Sequence, residues 1–304
     1  MTQIGLMIEG QAGLTWTRWQ RLLQAAEDFG YQCVFRSDHF TIARPYQESL
    51  EAWVSLTYAA SHTQRIEFGT LVSPITFRHP SLLVRMAAAV DDLSSGRLVL
   101  GLGAGWNEHE HHQFGIPFYD KPTRHKMFAE GLEITTRLLH SDAPVTYTGK
   151  HFSLDNAVLL PRPLRPGGPP ILIGGNGVKW TLPLAAKYAD EWNGVFISPD
   201  AFKERHVRLN ELLQQSGRDP KRLKRSLMTE VVFGIDDAAV KAKLGGRDAN
   251  DPARIIGTPS KIVDQIGAYI DVGVERVLLQ WLALDDLDGI EKLAQTVLQH
   301  FHNS

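Results

Sequence analysis

The sequence predicts an α/β protein built as a (β/α)8 barrel, also called a TIM barrel, and two observations lead to this fold. Short apolar segments of strand length alternate with longer amphipathic segments, which favours a parallel sheet with helices on its outside. The strand-like segments number eight, as a closed barrel requires. Because α/β barrels of 304 residues fold as one unit, we expect a single domain over residues 1–304; a doubly wound open sheet is the alternative.

The predicted elements follow in order along the chain. The strands are 3–8, 33–36, 66–71, 98–103, 170–174, 192–197, 227–233 and 276–281. The helices begin after Ser, Thr or Asp or end at Gly in several cases, and they are 16–29, 80–93, 123–139, 178–188, 201–215, 259–272 and 286–301.

Two segments interrupt the alternation. Residues 144–163 alternate in polarity around Gly149 and Lys150, which predicts a short β-hairpin insertion between strands 4 and 5. Residues 241–251 are polar and contain glycine. They follow strand 7 at the face of a barrel where lids are found, so they form either an active-site lid or a flexible surface loop.

Composition excludes several classes of partner. The 32 basic residues nearly balance the 34 acidic ones, so no net field attracts nucleic acid or an anionic membrane. The single cysteine, Cys33, cannot form an intrachain disulfide and lies in an apolar strand-like segment, where it is expected in the core. Neither a signal peptide nor an apolar run of about 18 residues is present, which predicts a soluble cytoplasmic protein.

The fourth strand ends in glycines at alternate positions. Gly101, Gly103 and Gly105 precede Trp106 and Asn107. Glycine weakens a strand, and its usual reason there is the close approach of another backbone or of a flat ligand. We therefore expect this strand to be the floor of a cofactor site, at the carboxyl ends of the strands where barrel enzymes place their chemistry.

The second strand ends in Asp38 and His39. A carboxylate beside an imidazole in an apolar segment costs desolvation energy unless the two groups are paired or used. His39 could transfer a proton near neutral pH while Asp38 orients its surroundings; alternatively, Asp38 caps a turn and His39 fills a polar pocket. After strand 3, Arg78 is either an anion contact or a solvated side chain.

Three further strand ends carry candidate groups. The histidines at 109, 111 and 112 lack the spacing of four that a helical zinc site needs, so we expect a loop without metal. The glycine-rich turn of residues 174–177 stands between strand 5 and a helix, where free backbone N–H groups favour phosphate. At the end of strand 8, Gln280 and Trp281 either line a substrate pocket or simply pack.

Together these motifs resemble the bacterial luciferase-like oxidoreductase superfamily, most closely its branch that uses the deazaflavin coenzyme F420. The resemblance spans nearly the whole chain, and the matching segments are 37–40, 69–72, 76–80, 101–110, 114–118, 173–177, 185–190 and 257–259.

The resemblance implies a flavin-like ring at the barrel mouth, with its phosphate at the glycine-rich turn. In the family a non-proline cis peptide at the end of strand 3 backs the ring, and here it would join Leu71 to Val72. His39 would handle a proton, with Asp38 as the second catalytic candidate. The implied cofactor contacts are Asp38, His39, Thr70, Leu71, Val72, Gly103, Gly105, Asn107, Gly174, Gly175, Asn176 and Gly177.

Trp106 departs from part of the family. Relatives that oxidise sugar phosphates have a glutamate immediately after the third glycine, and this chain has Trp106 instead. The difference disfavours sugar phosphates and suits a larger apolar or planar substrate. We expect Trp106 and Trp281 to contact it.

The predicted function is hydride transfer between F420 and a small organic substrate, with the protein supplying orientation and a nearby acid or base. Two alternatives stay open: a monooxygenase that uses reduced FMN and molecular oxygen, and a flavin-binding protein without catalysis. Because relatives commonly pair through barrel helices, we also expect a homodimer.

Overall fold

A computed structural model describes residues 2–42 and 44–302. The strands in this part of the chain are β1 (Gln3–Ile8), β2 (Cys33–Arg36), β3 (Glu67–Thr70), β4 (Ser73–Pro74), β5 (Leu98–Gly103), β6 (Val145–Thr148), β7 (Ser153–Ala157), β8 (Ile171–Gly174), β9 (Glu191–Val195), β10 (Lys224–Phe233), β11 (Ile255–Gly257) and β12 (Arg276–Gln280). The α-helices are α1 (Trp16–Asp28), α2 (Ala52–His62), α3 (Pro80–Leu93), α4 (Glu108–Gln113), α5 (Lys121–His140), α6 (Thr181–Tyr188), α7 (Pro199–Gln215), α8 (Asp237–Leu244), α9 (Pro259–Asp271), α10 (Leu287–Leu293) and α11 (Gln299–His302).

Eight parallel strands close into a barrel. The order around it is β1, β2, β3, β5, β8, β9, β10 and β12, every neighbouring pair being parallel. β12 then pairs with β1, Gln3 opposite Arg276 and Met7 opposite Gln280. This closure confirms the predicted (β/α)8 barrel, since a doubly wound sheet would leave two open edges.

The barrel interior is filled by side chains rather than forming a pore. A cluster that includes Met7, Cys33, Phe35, Val99 and Leu278 plugs it below the mouth. A larger cluster joins the outer faces of the strands to the helices. Burial of Cys33 raises the pKa of its thiol to about 12, so this cysteine is the core residue that its apolar neighbours predict.

The hairpin insertion is also confirmed. β6 and β7 pair antiparallel between α5 and β8, and the Gly149 N–H closes the turn by donating to the Phe152 carbonyl at 2.9 Å. The proline-rich residues 161–170 then return the chain to the barrel.

Three local expectations differ from the structure. No helix is predicted between strands 2 and 3, where α2 lies. This helix is apolar on both faces, with Trp53 buried and Val54 exposed, so it shows no amphipathic period. The histidine-rich loop is the short helix α4. Of the polar segment 241–251, the first four residues continue α8.

The C-terminal helix is likewise interrupted, because a π-helical turn, Ala294–Leu298, separates α10 from α11. Among the described residues, no helix combines the length and the apolar character that crossing a membrane would need.

Candidate active site

A cavity of about 950 Å³ opens where the carboxyl ends of the barrel strands converge. All eight barrel strands, or the residues that directly follow them, contribute to its wall. Its apolar part includes Leu71, Val72, Phe128, Val195, Phe196, Met228 and Leu282. The site therefore lies at the face of the barrel where the sequence placed it.

The glycines of β5 have two different roles. A Cβ on Gly101 would lie 1.8 Å from the Thr70 carbonyl oxygen, so this glycine permits β3 and β5 to approach each other. A Cβ on Gly103 would instead meet the Val72 side chain, 2.5 Å from its Cγ2. Gly103 and Gly105 line the cavity, and the missing side chain at Gly103 leaves a flat floor.

Beside this floor, Leu71 and Val72 form part of the wall. The peptide bond between them is cis, as the resemblance implies.

His39 lies in the cavity wall and is held by a buried carboxylate. Its Nδ1 is 2.7 Å from Oε1 of Glu110, and the other oxygen of Glu110 accepts the Phe40 N–H at 3.0 Å. Glu110 belongs to α4 and is fully buried. These bonds leave Nε2 of His39 as the ring nitrogen open to a ligand.

The charge around His39 favours its protonated form. Burial by itself lowers the pKa of His39, but the hydrogen bond and charge of Glu110, with smaller effects of Glu9 and Asp38, raise it above its usual value. Trp106 approaches the ring edge-on, with 5.4 Å between ring centroids. The side chain of Trp106 is 63% exposed.

Asp38 is placed behind the cavity wall rather than in it. Its carboxylate accepts a hydrogen bond from Ser73 Oγ at 2.6 Å and is paired with Arg78 at 2.5 Å. Arg78 also binds Glu51 at 2.5 Å, so it is neither solvated nor turned toward an anion in the cavity. The pair Asp38–Arg78 fixes the backbone that presents His39.

Thr70 and Asn107 also lie just outside the lining. Thr70 Oγ1 donates to the Gly101 carbonyl at 2.8 Å, and Asn107 Nδ2 donates to the Thr41 carbonyl at 2.9 Å. Both side chains hold segments whose neighbours line the cavity.

Only the first half of the glycine-rich turn lines the cavity, and the second half supports it. Gly174 and Gly175 line the cavity together with Thr181 of α6. Gly175 has a φ of +120°, a conformation that side-chain-bearing residues rarely adopt. Asn176 supports the turn by bonding both backbone groups of Val195, and the Gly177 carbonyl accepts the Thr181 N–H at 2.9 Å.

Of the pair at the end of β12, only Gln280 reaches the main cavity. Trp281 is 4% exposed, donates to the Ala283 carbonyl and lines a separate space of about 180 Å³ beside α8.

One part of the cavity lining, called here the basic wall, is not predicted from the sequence. Lys121, Arg124 and His125 in the first turns of α5 all line the cavity. The Nε of Arg124 donates to the Gly105 carbonyl at 3.1 Å, which fixes the guanidinium beside the glycine floor. A signal was present, because basic residues at the start of a helix oppose the helix dipole and call for a compensating anion.

Glu9, at the end of β1, was missed as well. It lines the cavity, and it accepts hydrogen bonds from the side-chain amides of Gln11 and Gln280, each at 2.6 Å. An acidic residue directly after an apolar strand was the available signal.

A family model and individual proteins are similar to this chain. A profile of the family described as luciferase-like monooxygenase matches residues 1–254. The F420-dependent hydroxymycolic acid dehydrogenase of Mycobacterium tuberculosis (strain ATCC 25618 / H37Rv) is 30% identical over 270 residues, which are 85% of this chain and 69% of that protein. The 4-hydroxyprotoasukamycin monooxygenase of Streptomyces nodosus subsp. asukaensis is 32% identical over 176 residues, 58% of this chain and 46% of that protein.

Solved structures show the same fold. An F420-dependent secondary alcohol dehydrogenase, in complex with an F420–acetone adduct, superposes with a TM-score of 0.85 at 22% identity, covering 98% of both chains. Monooxygenase RslO1 from Streptomyces bottropensis superposes with a TM-score of 0.83 at 19% identity, covering 98% of this chain and 99% of that one. This chain therefore belongs to the luciferase-like monooxygenase family and is an enzyme of its oxidoreductase class.

Proposed function

We propose that this protein is an F420-dependent oxidoreductase that transfers a hydride between the deazaflavin and an apolar organic substrate. The observation that carries the proposal is the His39–Glu110 pair at the wall of an apolar cavity. Hydride transfer to a carbonyl requires a proton donor beside the oxygen, and an imidazole with a raised pKa is such a donor.

The residues present fit a cofactor of this type. A side chain at Gly103 would occupy the floor, so the cavity accepts a flat ring there, against Leu71 and Val72. The basic wall of Lys121 and Arg124 suits a phosphate, as does the turn at Gly175. When bound, F420 supplies a ring carbon that gives or accepts a hydride.

The protein then supplies orientation and proton transfer. Leu71, Val72 and Gly103 would position the ring, while Lys121 and Arg124 would hold the phosphate. Nε2 of His39 would give its proton to the oxygen of a carbonyl substrate, and in the reverse direction it would accept the proton of an alcohol. Trp106 would cover the apolar body of the substrate and exclude water.

Asp38 acts in this proposal through its neighbours. Its ion pair with Arg78 and its bond to Ser73 fix the chain on both sides of the wall. Its charge also raises the pKa of His39. Asp38 is therefore a positioning residue for His39, while Thr70, Asn107, Asn176 and Gly177 support the lining backbone.

Reduced-FMN monooxygenation is the second candidate. It is favoured by the monooxygenase relative, which is 32% identical in the matched region, and the same floor and basic wall fit FMN. The two candidates differ in cofactor and in whether molecular oxygen is consumed.

A titration decides between them. Protein is titrated with F420 and separately with FMN, following absorbance and fluorescence, and oxygen uptake is recorded during turnover. We expect saturable F420 binding and no oxygen consumption. FMN binding without a response to F420 would reverse the assignment.

We further propose a homodimer formed through barrel helices. The side chains of Val54 on α2 and of Leu82 and Leu93 on α3 are each more than half exposed, and these two helices pack side by side. Analytical ultracentrifugation should give a dimer for the native protein and a monomer for Leu82→Glu; a native monomer would refute this.

A further inference from the structure

Phe196, directly after β9, lines the cavity although the alternation of its strand directs it elsewhere. The ring of Trp192 contacts Phe202 of α7, with 5.0 Å between ring centroids, and a Cβ on Gly194 would meet the same Phe202 ring. Val195 packs against the cluster in the barrel interior and lines the cavity. Because the side chains of a strand alternate between its two faces, an extended chain would turn Phe196 outward, toward α7.

A left-handed backbone conformation turns the Phe196 side chain inward. Its φ is +46°, which is an outlier for a bulky side chain. The residues on both sides are fixed, because Asn176 bonds both backbone groups of Val195 and the Tyr269 hydroxyl donates to the Ile197 carbonyl at 2.9 Å. The surroundings therefore impose a conformation that costs free energy, and such strain concentrates at functional sites.

Barrel order places Phe196 across the mouth from His39. His39 follows β2, and β9 lies opposite β2 in the closed barrel, since β3, β5 and β8 separate them on one side and β1, β12 and β10 on the other. Trp106 leans toward His39, with 5.4 Å between ring centroids. The Phe196 side chain is 39% exposed, so its ring borders the open space. A ligand that presents an oxygen to His39 and extends across the mouth meets this ring.

We propose that Phe196 is a specificity-determining residue that limits the length of the substrate on the side away from His39. The inference rests on the proposed function, which places the reacting oxygen at His39. The ring ends the apolar space across the mouth, so the site selects compact apolar ketones over extended ones. Truncation of Phe196 removes this wall and admits a longer apolar body.

The test compares two probe ketones, cyclohexanone and 2-decalone, which carries a second fused ring. Calorimetric titrations are run on the protein with and without F420. Phe196→Ala should raise the affinity for 2-decalone relative to cyclohexanone at least about tenfold, the gain from burying two more methylene groups. Phe196→Trp, which adds bulk to the same wall, should lower this ratio. The matched control is Phe152→Ala in the hairpin, where the ring contacts His79, and it should leave the ratio unchanged.

A second measurement tests the backbone argument. Phe196→Gly and Phe196→Ala both remove the ring, but only glycine adopts a left-handed conformation without penalty. The melting temperature of Phe196→Gly should therefore exceed that of Phe196→Ala, the reverse of the order expected for an extended strand. Circular dichroism during heating measures both.

Several results would overturn the proposal. An unchanged affinity ratio in Phe196→Ala, an equal change in Phe152→Ala, no binding of either ketone, or a lower melting temperature of Phe196→Gly than of Phe196→Ala would each do so. A fall in F420 affinity with an unchanged ketone ratio would assign the ring to the cofactor instead. If Phe196→Ala does not fold, Phe196→Trp carries the comparison. Failure of the F420 assignment is distinguishable, because it would show as absent F420 binding while the ketone ratios without cofactor and the order of melting temperatures persist.

Discussion

The local environment of His39 is decided by which carboxylate contacts its ring. Asp38 is its neighbour in sequence, yet Glu110, 71 residues away, makes the hydrogen bond. Asp38 is instead turned toward Arg78. In the structure the carboxylate paired with His39 is therefore that of Glu110, and Asp38 acts on His39 through its charge.

Glu110→Gln should lower the pKa of His39, because the amide keeps a hydrogen-bond acceptor but removes the negative charge. For carbonyl reduction the active form is protonated His39, so activity falls as the pH rises through this pKa. The falling limb of the kcat/KM profile should accordingly move to lower pH in the variant. NMR titration of the imidazole gives the same direction independently of turnover.

The matched control is Glu108→Gln on the same helix. The Glu108 side chain is 65% exposed and lies 3.9 Å from His112. This variant should leave the pH dependence of kcat/KM unchanged. An unmoved limb in Glu110→Gln, in protein with an unchanged melting temperature, would show that Glu110 does not set the protonation of His39.

At the scale of the element, β5 combines a close strand contact and a part of the cavity wall within one strand. Gly101 is required by the backbone of β3, and Gly103 by the side chain of Val72, which a Cβ there would meet. Both glycines look alike in the sequence, but the atoms that a side chain would meet differ.

We expect Gly101→Ala to destabilise the fold and Gly103→Val to impair cofactor binding. The first forces a methyl group against a carbonyl oxygen of a neighbouring strand, and overpacking of this kind costs about 1–3 kcal/mol. The valine side chain at position 103 would meet Val72 and extend into the cavity. Urea unfolding and F420 titration of both variants separate the effects; unaltered F420 affinity in a folded Gly103→Val protein would contradict the floor assignment.

Helix α8 differs from helices such as α3 because none of its side chains is buried. Lys243 pairs with Asp286 at 2.7 Å, and Lys261 with Asp237 at 3.1 Å. Such pairs are screened by salt, and elements with few buried contacts open at low free energy.

Amide hydrogen exchange in α8 should therefore be faster than in α3, which has seven buried side chains, and it should accelerate at high salt. Mass spectrometry after deuterium labelling at two salt concentrations measures both. Protection equal to that of α3 would show that α8 is a fixed part of the barrel, and would count against the active-site lid, one of the two alternatives for residues 241–251.

For the whole molecule, an ion-pair cluster at the end of the barrel opposite the cavity links strands that are far apart in the sequence. Arg276 at the start of β12 is buried, bonds Glu67 of β3 and lies 3.5 Å from Glu191 of β9. Its guanidinium also lies over the Phe35 ring, 5.1 Å from the centroid. One side chain thus joins strands from three parts of the sequence.

Arg276→Leu should lower the free energy of unfolding by about 3–5 kcal/mol, because it leaves the buried Glu191 without its partner. Arg208→Leu, which breaks an exposed pair with Glu211 on α7, should cost no more than about 1 kcal/mol. Urea unfolding compares them. Similar changes in both variants would exclude a closing role for Arg276, and F420 affinity should be unaffected by either.

The sequence by itself determined the architecture and the face of the barrel that carries the cavity. The period and length of the apolar segments predicted the eight strands and most of the helices, because these patterns are local properties of the chain. The glycines after strands 4 and 5 and the polar ends of strands 2 and 3 marked the face that carries the cavity. α2 was not predicted because apolar residues on both its buried and its exposed face erase the amphipathic period.

Only the tertiary structure decided which of these residues meet. Contacts between different segments of the chain join Glu9 to Gln280, His39 to Glu110, and Gly105 to Arg124. It likewise placed Asp38, Thr70, Asn107 and Trp281 outside the main cavity. The physical reason is that strand order around a closed barrel, together with the direction of each side chain, fixes these distances, and neither is encoded in the local pattern of apolar residues.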